Sequence, residues 1–358
     1  MIKRKILIAT GGTGGHIFPA YSLAQVLAKD NDIILTTDKR GFNYIKNYKH
    51  LNIVKIPSSP LIKKNIFKFL KSLIIILLST VLSLFFLISN RPKIIFGMGG
   101  YTSFPICIAA SILRIKFIIY ENNLIIGKAN KYLLPFAKKI FVAYSEIEGI
   151  SQKYKNKIVT IGNLVREEIL NFNTSNQDNE KFENLRILIL GGSQAAKAFA
   201  NLLPQVFKKL KDSGISIKIY QQCLKEQNSQ LSQFYEKEKI DYEIFNFAEN
   251  INNYYSKVNL VITRSGASVL GELINVKMPF ISIPLPSSAE NHQFKNAEFY
   301  LKKGYGFLLK EENIEKDLYD LIQSLCKNKS IIEKILSKQR QYSDKNIFRN
   351  LINLIEKI

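Results

Sequence analysis

Two doubly wound α/β domains are the architecture this sequence predicts, and three observations carry that reading. The chain has 358 residues, more than one ordinary hydrophobic core serves, so two domains are expected. Apolar runs of strand length alternate with stretches of helical spacing almost throughout. The runs are continuous rather than alternating, as suits strands covered on both faces of a parallel sheet. A segment near the start is also echoed past the middle: Lys5-Ile6-Leu7-Ile8-Ala9-Thr10-Gly11-Gly12-Thr13 resembles Arg186-Ile187-Leu188-Ile189-Leu190-Gly191-Gly192-Ser193. Each is a basic residue, an apolar strand, a glycine pair and a hydroxyl residue with a helix to follow, so each opens one domain.

The elements follow in order. The first strand, 5–10, runs into Gly11-Gly12-Thr13-Gly14-Gly15-His16, and residues 17–29 then carry helical spacing with Pro19 in the first turn, where its missing N–H costs nothing. Further strands are expected at 33–36, 53–56, 93–97, 117–120, 140–143 and 158–161 in the first half. In the second half they are expected at 185–190, 215–220, 242–245, 260–263 and 280–283. The polar stretch 171–183 reads as a surface excursion after the linker, and 346–358 as an amphipathic helix with Leu351, Ile352, Leu354 and Ile355 available to pack.

Residues 72–90 break the pattern. From Leu73 to Ile88 the only polar residues are Ser79, Thr80 and Ser83, with Lys63, Lys64, Lys68 and Lys71 before the run and Arg91 and Lys93 after it. A spanning helix needs about 20 apolar residues, and strand candidates of one sheet stand on both sides, so a span would split that sheet between compartments. We read the segment as a crossover helix that also dips into the membrane interface, ahead of a purely buried helix and of a true span.

The composition, 46% hydrophobic and 22% charged with a net charge of +22, is that of a basic globular protein. Lysine is spread along the chain and no recognition helix or RNA-binding aromatic signature is present, so an anionic membrane surface and compositional bias are favoured and nucleic acid is not expected. Cys107, Cys223 and Cys326 are far apart, without a CxxC pair or metal-ligand spacing. They read as buried thiols of a reducing compartment. The sequence runs straight into the first strand, so no signal peptide is expected.

Four glycines between a strand and a helix open the backbone amides and the positive helix end to another molecule, usually a phosphate. The loop ends Gly15-His16-Ile17, which excludes a P-loop. A dinucleotide fingerprint places Ile17 where Gly or Ala packs the helix, yet Asp38 after the second strand leaves a ribose contact open. The helix dipole disfavours an imidazolium at His16, so its neutral ring can accept a proton; a histidine that only hydrogen-bonds the loop is the alternative. Other loops share the carboxyl edge of the strands: Gly97-Met98-Gly99-Gly100-Tyr101, Tyr120-Glu121-Asn122-Asn123, Gly191-Gly192-Ser193-Gln194, and Arg264-Ser265-Gly266-Ala267-Ser268 with Glu272 beyond. Serines suit phosphate oxygens and a carboxylate suits ribose hydroxyls, although Glu272 taken alone reads rather as a solvated helix charge. Glu290-Asn291-His292-Gln293 opens a helix with polar groups fit for sugar hydroxyls, or for a plain exposed cap. Asp30-Asn31-Asp32 sits at the opposite edge and reads as a turn, so neither a bound metal nor a cofactor is expected.

Taken together these loops resemble the MurG family, bacterial peptidoglycan glycosyltransferases of the two-Rossmann-domain (GT-B) class. The resemblance runs in order over nearly the whole chain. It rests on Gly11 to His16 with Phe18-Pro19, Gly97 to Tyr101, Glu121 to Asn123, Gly162-Asn163 with Val165-Arg166, Gly191 to Gln194, Arg264 to Ala267 with Glu272, and His292-Gln293 with Asn296. It implies two Rossmann-like domains facing across a cleft, 1–162 on the acceptor and membrane side and 163–341 for the donor, with helix 342–358 packed back on the first.

It further implies inverting, metal-independent transfer of N-acetylglucosamine from UDP-GlcNAc to the C4 hydroxyl of lipid I, giving lipid II, at the cytoplasmic face of the inner membrane. The enzyme would be peripheral, with an anionic membrane surface and cell-wall synthesis or division proteins as partners. By position, His16 is the candidate base, and Thr13, Gly14 and Gly15 line the acceptor side. Asn123 and Arg166 match donor-site positions, and Ser193 the diphosphate. Ala248 would meet uracil through its backbone. Ala267, Ser268, Val269, Leu270, Gly271 and Glu272 would hold the nucleotide, Glu272 taking the ribose. Gln293 with His292 would hold the sugar.

Some positions depart from the family pattern. Tyr120 and Asn122 replace a usual His and Gln and carry no inherited role. Leu164 replaces a usual Pro, which would loosen the hinge near 162–166, and Ala195 replaces a usual Gly at a helix start. The rival readings are a nicotinamide-dependent oxidoreductase and a non-catalytic nucleotide-binding membrane module.

Overall fold

The structure is a computed structural model, and it describes residues 3–46, 51–61, 65–172, 184–248 and 250–357, with backbone alone at 192–196. Lys63, Lys64, most of the polar stretch up to 183, Glu249 and the side chains of Ser193, Gln194 and Ala195 lie outside the described residues.

The chain divides into two compact units, residues 1–166 with 344–358, and residues 167–343. The first contains β1 (Arg4–Ala9), α1 (Gly14–Leu27), β2 (Asn31–Thr37), α2 (Lys39–Ile45), β3 (Asn52–Lys55), α3 (Ile66–Asn90), β4 (Ile94–Gly97), α4 (Gly100–Ile112), β5 (Phe117–Glu121), α5 (Lys128–Leu133), β6 (Lys139–Val142) and β7 (Ile158–Thr160). The second contains α6 (Glu167–Leu170), β8 (Asn184–Leu190), α7 (Gly192–Asp212), β9 (Ser216–Gln222), α8 (Asn228–Lys237), β10 (Asp241–Phe245), α9 (Asn252–Tyr255), β11 (Leu260–Thr263), α10 (Ala267–Asn275), β12 (Phe280–Ser282), α11 (His292–Lys302), β13 (Phe307–Leu308), α12 (Ile314–Lys327) and α13 (Lys329–Arg340). The last helix, α14 (Ile347–Glu356), returns to the first unit and packs on α1.

Each unit is wound around one parallel sheet. The first has seven strands in the order β3-β2-β1-β4-β5-β6-β7 and the second six in the order β10-β9-β8-β11-β12-β13. Every strand pair is parallel. The central strands are buried on both faces: Leu7, Ile8, Ile95 and Ile119 in one sheet and Ile187, Leu188, Ile189 and Ile262 in the other are fully inaccessible. That is why their sequences run apolar without alternation. Strand order reverses between β1 and β4, and again between β8 and β11. At such a reversal the turns leave the sheet in opposite directions and open a crevice at the carboxyl edge.

The helix α3 inverts the usual pattern. Its buried stripe is Ser72, Ser79, Ser83 and Leu87, packed toward α4. The serine hydroxyls are satisfied by donating to Lys68, Ile75 and Ser79 carbonyls at 2.7–2.8 Å within the helix. Phe67, Ile74, Leu77, Leu78, Leu82, Phe85 and Ile88 are half or more exposed. Asn65 caps the start, accepting from Phe67 and Lys68 N–H, and Arg91 ends it in the left-handed region at φ +45°.

Where the first unit hands the chain on, residues 162–164 are pinned. Gly162 sits at φ +100°, and any Cβ there would overlap Asp344. Asp344 accepts from the Asn163 N–H (3.3 Å) and side-chain amide (3.4 Å), while Tyr144 donates to Asn163 Oδ1 (3.0 Å). The Tyr120 hydroxyl donates to Gly162 O and accepts from Leu164 N–H, both at 3.1 Å. The expected loosening at Leu164 is therefore corrected: its N–H makes a bond that a proline cannot make. Burial raises the Tyr120 hydroxyl well above its ordinary pKa, which keeps it a donor. Asp344→Ala leaves the buried Asn163 amide groups without this acceptor, and is expected to lower stability by about 1–3 kcal/mol, measured by urea denaturation.

Candidate active site

The glycine turns found in the sequence stand at the two points of strand reversal. In the first unit the turn after β1 faces the turn after β4, with the β5–α5 loop beside them. His16 lies in the first turn of α1, half-buried, and its ring rests on backbone. A Cβ on Gly99 would lie 3.0 Å from His16 Cε1 and Nδ1, and one on Gly100 would lie 3.3 Å from Cδ2. Gly99 (φ +85°) and Gly100 (φ +74°) are thus required twice over, by conformation and by the imidazole.

Thr13 is exposed at the N-cap of α1, and Gly14 and Gly15 follow half-buried beside His16. The Asn122 side chain donates to Gly15 O at 2.9 Å, which binds the β5 loop to the glycine turn. Glu121 organises that loop: Oε1 accepts from Asn123 N (3.1 Å) and Nδ2 (2.8 Å), and Oε2 from Gly127 N (2.9 Å) and Asn130 Nδ2 (3.0 Å). Asn123 is therefore held at the rim of this unit. Arg166 is buried and stacks its guanidinium 5.5 Å over the Phe18 ring on α1.

The open ribose role for Asp38 is corrected. Its carboxylate is buried and accepts from Gly12 N–H (3.0 Å), Gly41 N–H (2.8 Å) and the Tyr101 hydroxyl (2.9 Å). Burial and the Asp38 bond push the Tyr101 pKa up to about 12, so it stays a donor. With Gly12 N–H turned toward Asp38, this loop differs from a cradle whose amides all face a phosphate.

In the second unit the matching turns are Gly191-Gly192 at the start of α7 and Arg264 to Gly266 at the start of α10. Ser193 falls in the first turn of α7 by backbone alone. On α10, Ser268 and Val269 are half-buried, while Ala267, Gly271 and Glu272 are buried. The Leu270 side chain is fully buried core, which leaves its backbone as the part that could face a nucleotide. Tyr255 donates to Glu272 Oε2 at 3.4 Å. Ala248 is half-buried just after β10.

Arg264 is a scaffold residue. It donates to Ile283 O and Pro284 O at 3.2 Å, pairs with Glu311 at 2.5 Å, and lies 4.5 Å over the Phe199 ring. Burial lowers its pKa and Glu311 opposes that shift. Asn296 reaches from α11 to Ser265 O at 3.1 Å, and Gln293 Oε1 accepts from Leu285 N–H at 2.9 Å, which orients its NH2 outward as donor. His292 Nδ1 lies 2.6 Å from Ala289 O, a partner to which that nitrogen must donate. Glu290 (φ +52°) and Asn291 (φ +55°) both adopt left-handed backbone just before α11. Such strain, about 1 kcal/mol or more per residue, concentrates at functional sites. A hollow of about 320 Å³ opens here between the Pro284–Leu285–Pro286 loop, Phe294 and Glu311.

The comparisons agree with this geometry. Residues 6–142 match the glycosyltransferase family 28 N-terminal domain, and residues 186–354 the family 28 C-terminal domain. A protein of Pelagibacter ubique is 36% identical over 359 residues, covering all of this chain and 98% of its own length.

The chain belongs to glycosyltransferase family 28.

That relative is named UDP-N-acetylglucosamine–N-acetylmuramyl-(pentapeptide) pyrophosphoryl-undecaprenol N-acetylglucosamine transferase, as is a Rickettsia felis protein 36% identical over 92% of this chain and 93% of its own. Among solved structures, Acinetobacter baumannii MurG aligns with a TM-score of 0.77 at 24% identity over 99% of this chain and all of that one. S. aureus MnaA with UDP aligns with a TM-score of 0.67 at 14% identity, over 99% and 96%. Both likenesses speak for the fold. Family 28 membership makes the protein a glycosyltransferase, and the oxidoreductase reading loses its ribose ligand with Asp38.

Sequence reasoning missed Asp38, Tyr101 and Glu121 as organisers of the family 28 loops. The signal was present for Asp38: a carboxylate at the end of an apolar strand, with glycine three residues on, is a helix cap. Its bonds to Gly12 and Tyr101 left no local trace. Gly99→Ala is expected to displace the His16 ring and lower kcat for sugar transfer by roughly 10- to 100-fold, with little change in donor KM, measured by steady-state kinetics.

Proposed function

We propose that this glycosyltransferase moves N-acetylglucosamine from UDP-GlcNAc to the C4 hydroxyl of undecaprenyl-diphospho-N-acetylmuramoyl-pentapeptide, lipid I, forming lipid II in peptidoglycan synthesis. The full-length identity of 36% to relatives named for that transfer carries the reading. The acceptor oxygen attacks the anomeric carbon, the bond to UDP breaks with its electron pair leaving on the diphosphate, and the anomeric configuration inverts. The hydroxyl proton must pass to a base.

His16 is that base in this proposal. It is half-buried at the first turn of α1, and its ring is walled by Gly99 and Gly100. A positioned base of this kind supplies roughly 10²- to 10⁴-fold in rate. Thr13, Gly14, Gly15, Asn123 and Arg166 are substrate-binding residues on the same unit. On the other unit, the amino ends of α7 and α10 favour the departing diphosphate, with Ser193 and Ser268 as hydroxyl donors. Glu272, oriented by Tyr255, takes the ribose; the Ala248 backbone meets uracil; the Gln293 NH2 and His292 Nε2 meet the sugar.

We further infer that α3 seats the enzyme on the cytoplasmic face of an anionic membrane as a peripheral protein. The helix is long and apolar enough to cross a bilayer, with a mean hydropathy of 2.6 over its best window, of which 22% is buried. Each exposed Leu, Ile or Phe forgoes about 1.5–3 kcal/mol of burial in water, which lipid restores. Both ends of α3 lead into strands of one sheet, β3 and β4, which favours an interfacial helix over a span. Lys68, Lys71, Arg91 and Lys93 at its ends suit acidic headgroups.

Two outcomes test these readings. His16→Ala is expected to abolish transfer from radiolabelled UDP-GlcNAc to lipid I by roughly 10²-fold or more while calorimetry shows unchanged UDP-GlcNAc binding; full turnover would remove the base assignment. Leu77→Glu with Phe85→Glu is expected to prevent flotation with acidic liposomes and leave turnover on detergent-solubilised lipid I intact. Equal flotation would sink the interfacial reading.

A further inference from the structure

We propose that Asp38 is a positioning residue for the transfer, holding together the two glycine turns that enclose His16. This rests on the reading of His16 as the base. Asp38 directly follows β2, the strand beside β1, and is 7% exposed. As the cap of α2 it needs only the Gly41 N–H, bound at 2.8 Å. It makes two longer-range bonds as well: to Gly12 N–H, 26 residues back, at 3.0 Å, and from the Tyr101 hydroxyl, 63 residues on, at 2.9 Å.

Those two partners flank the imidazole. Gly12, at φ +80°, belongs to the turn that carries His16 into α1. Tyr101 directly follows Gly99 and Gly100, on which the imidazole rests. The Tyr101 ring also covers Gly12, where a Cβ would come within 3.4 Å of it. One carboxylate therefore sets the spacing between the turn that bears the base and the turn that walls it. Bonds to an ionised acceptor are short and strong, so the pocket around His16 is shaped before any acceptor arrives. Such preorganisation acts on the chemical step rather than on donor binding.

The test compares Asp38→Ala, Asp38→Asn and Tyr101→Phe with wild type in the full chain. It measures kcat, KM for each substrate, UDP-GlcNAc affinity by calorimetry, and thermal midpoint. Asp38→Ala is expected to lower kcat about 100-fold, with donor KM and affinity changed less than about twofold. Asp38→Asn can accept the two amides through Oδ1 and donate from Nδ2 to the Tyr101 oxygen, so it should recover most of the loss. Tyr101→Phe should lower kcat by roughly 10-fold, and the double variant Asp38→Ala, Tyr101→Phe should be no worse than Asp38→Ala alone. Wild-type kcat in a folded Asp38→Ala protein overturns the proposal. So does a loss that tracks the thermal midpoint and is not rescued by Asp38→Asn. Where Asp38→Ala does not fold, Tyr101→Phe decides on the same readouts, and unchanged kcat there overturns it. Full turnover by His16→Ala would instead remove the base reading.

Discussion

A parallel strand buried on both faces ends in a turn that must leave the sheet, and neighbouring turns leave on the same side unless the strand order reverses. Beside β1 and again beside β8 it does reverse. The turns there diverge and leave backbone and helix ends exposed at the carboxyl edge. Both glycine pairs, both serine-bearing helix starts and the histidine stand at these two places. The helix amino ends and glycine turns that carry most of the candidate site stand at that reversal.

A crevice of bare turns needs stiffening, and buried polar groups do it. Glu121 gathers two backbone and two side-chain donors, Asp38 three donors, and Arg264 two carbonyls and a carboxylate. Buried charge of this kind is tolerated when it is paired or hydrogen-bonded. Glu121 braces its own loop, whereas Asp38 and Arg264 join segments distant in sequence within their unit. The same logic acts at the chain's exit from the first unit, where Tyr120, Asn163 and Asp344 lock the segment at Leu164.

Beyond the crevice, α3 carries the opposite pattern. Serines face inward and are satisfied within the helix, while large apolar side chains face outward. A helix folded for water alone reverses this arrangement. The net charge of +22 is consistent with an acidic surface as the counterpart of that face.

The sequence by itself determined the architecture. Continuous apolar strands, their spacing, and the repeated strand-glycine-hydroxyl unit are local patterns, and local patterns survive without knowledge of packing. It also placed His16, the serine turns and Glu272 at the carboxyl edge of the sheets, because chain order alone puts them after strands. Tertiary structure decided what those residues touch. Asp38 left a ribose contact open in the sequence and instead binds Gly12 and Tyr101, which come near only when β1, β2 and β4 lie side by side. Leu164 tightened a segment it was expected to loosen, because Tyr120 stands 44 residues earlier in the chain yet 3.1 Å away. Contacts of that range are set by the fold as a whole, and no spacing rule along the chain encodes them.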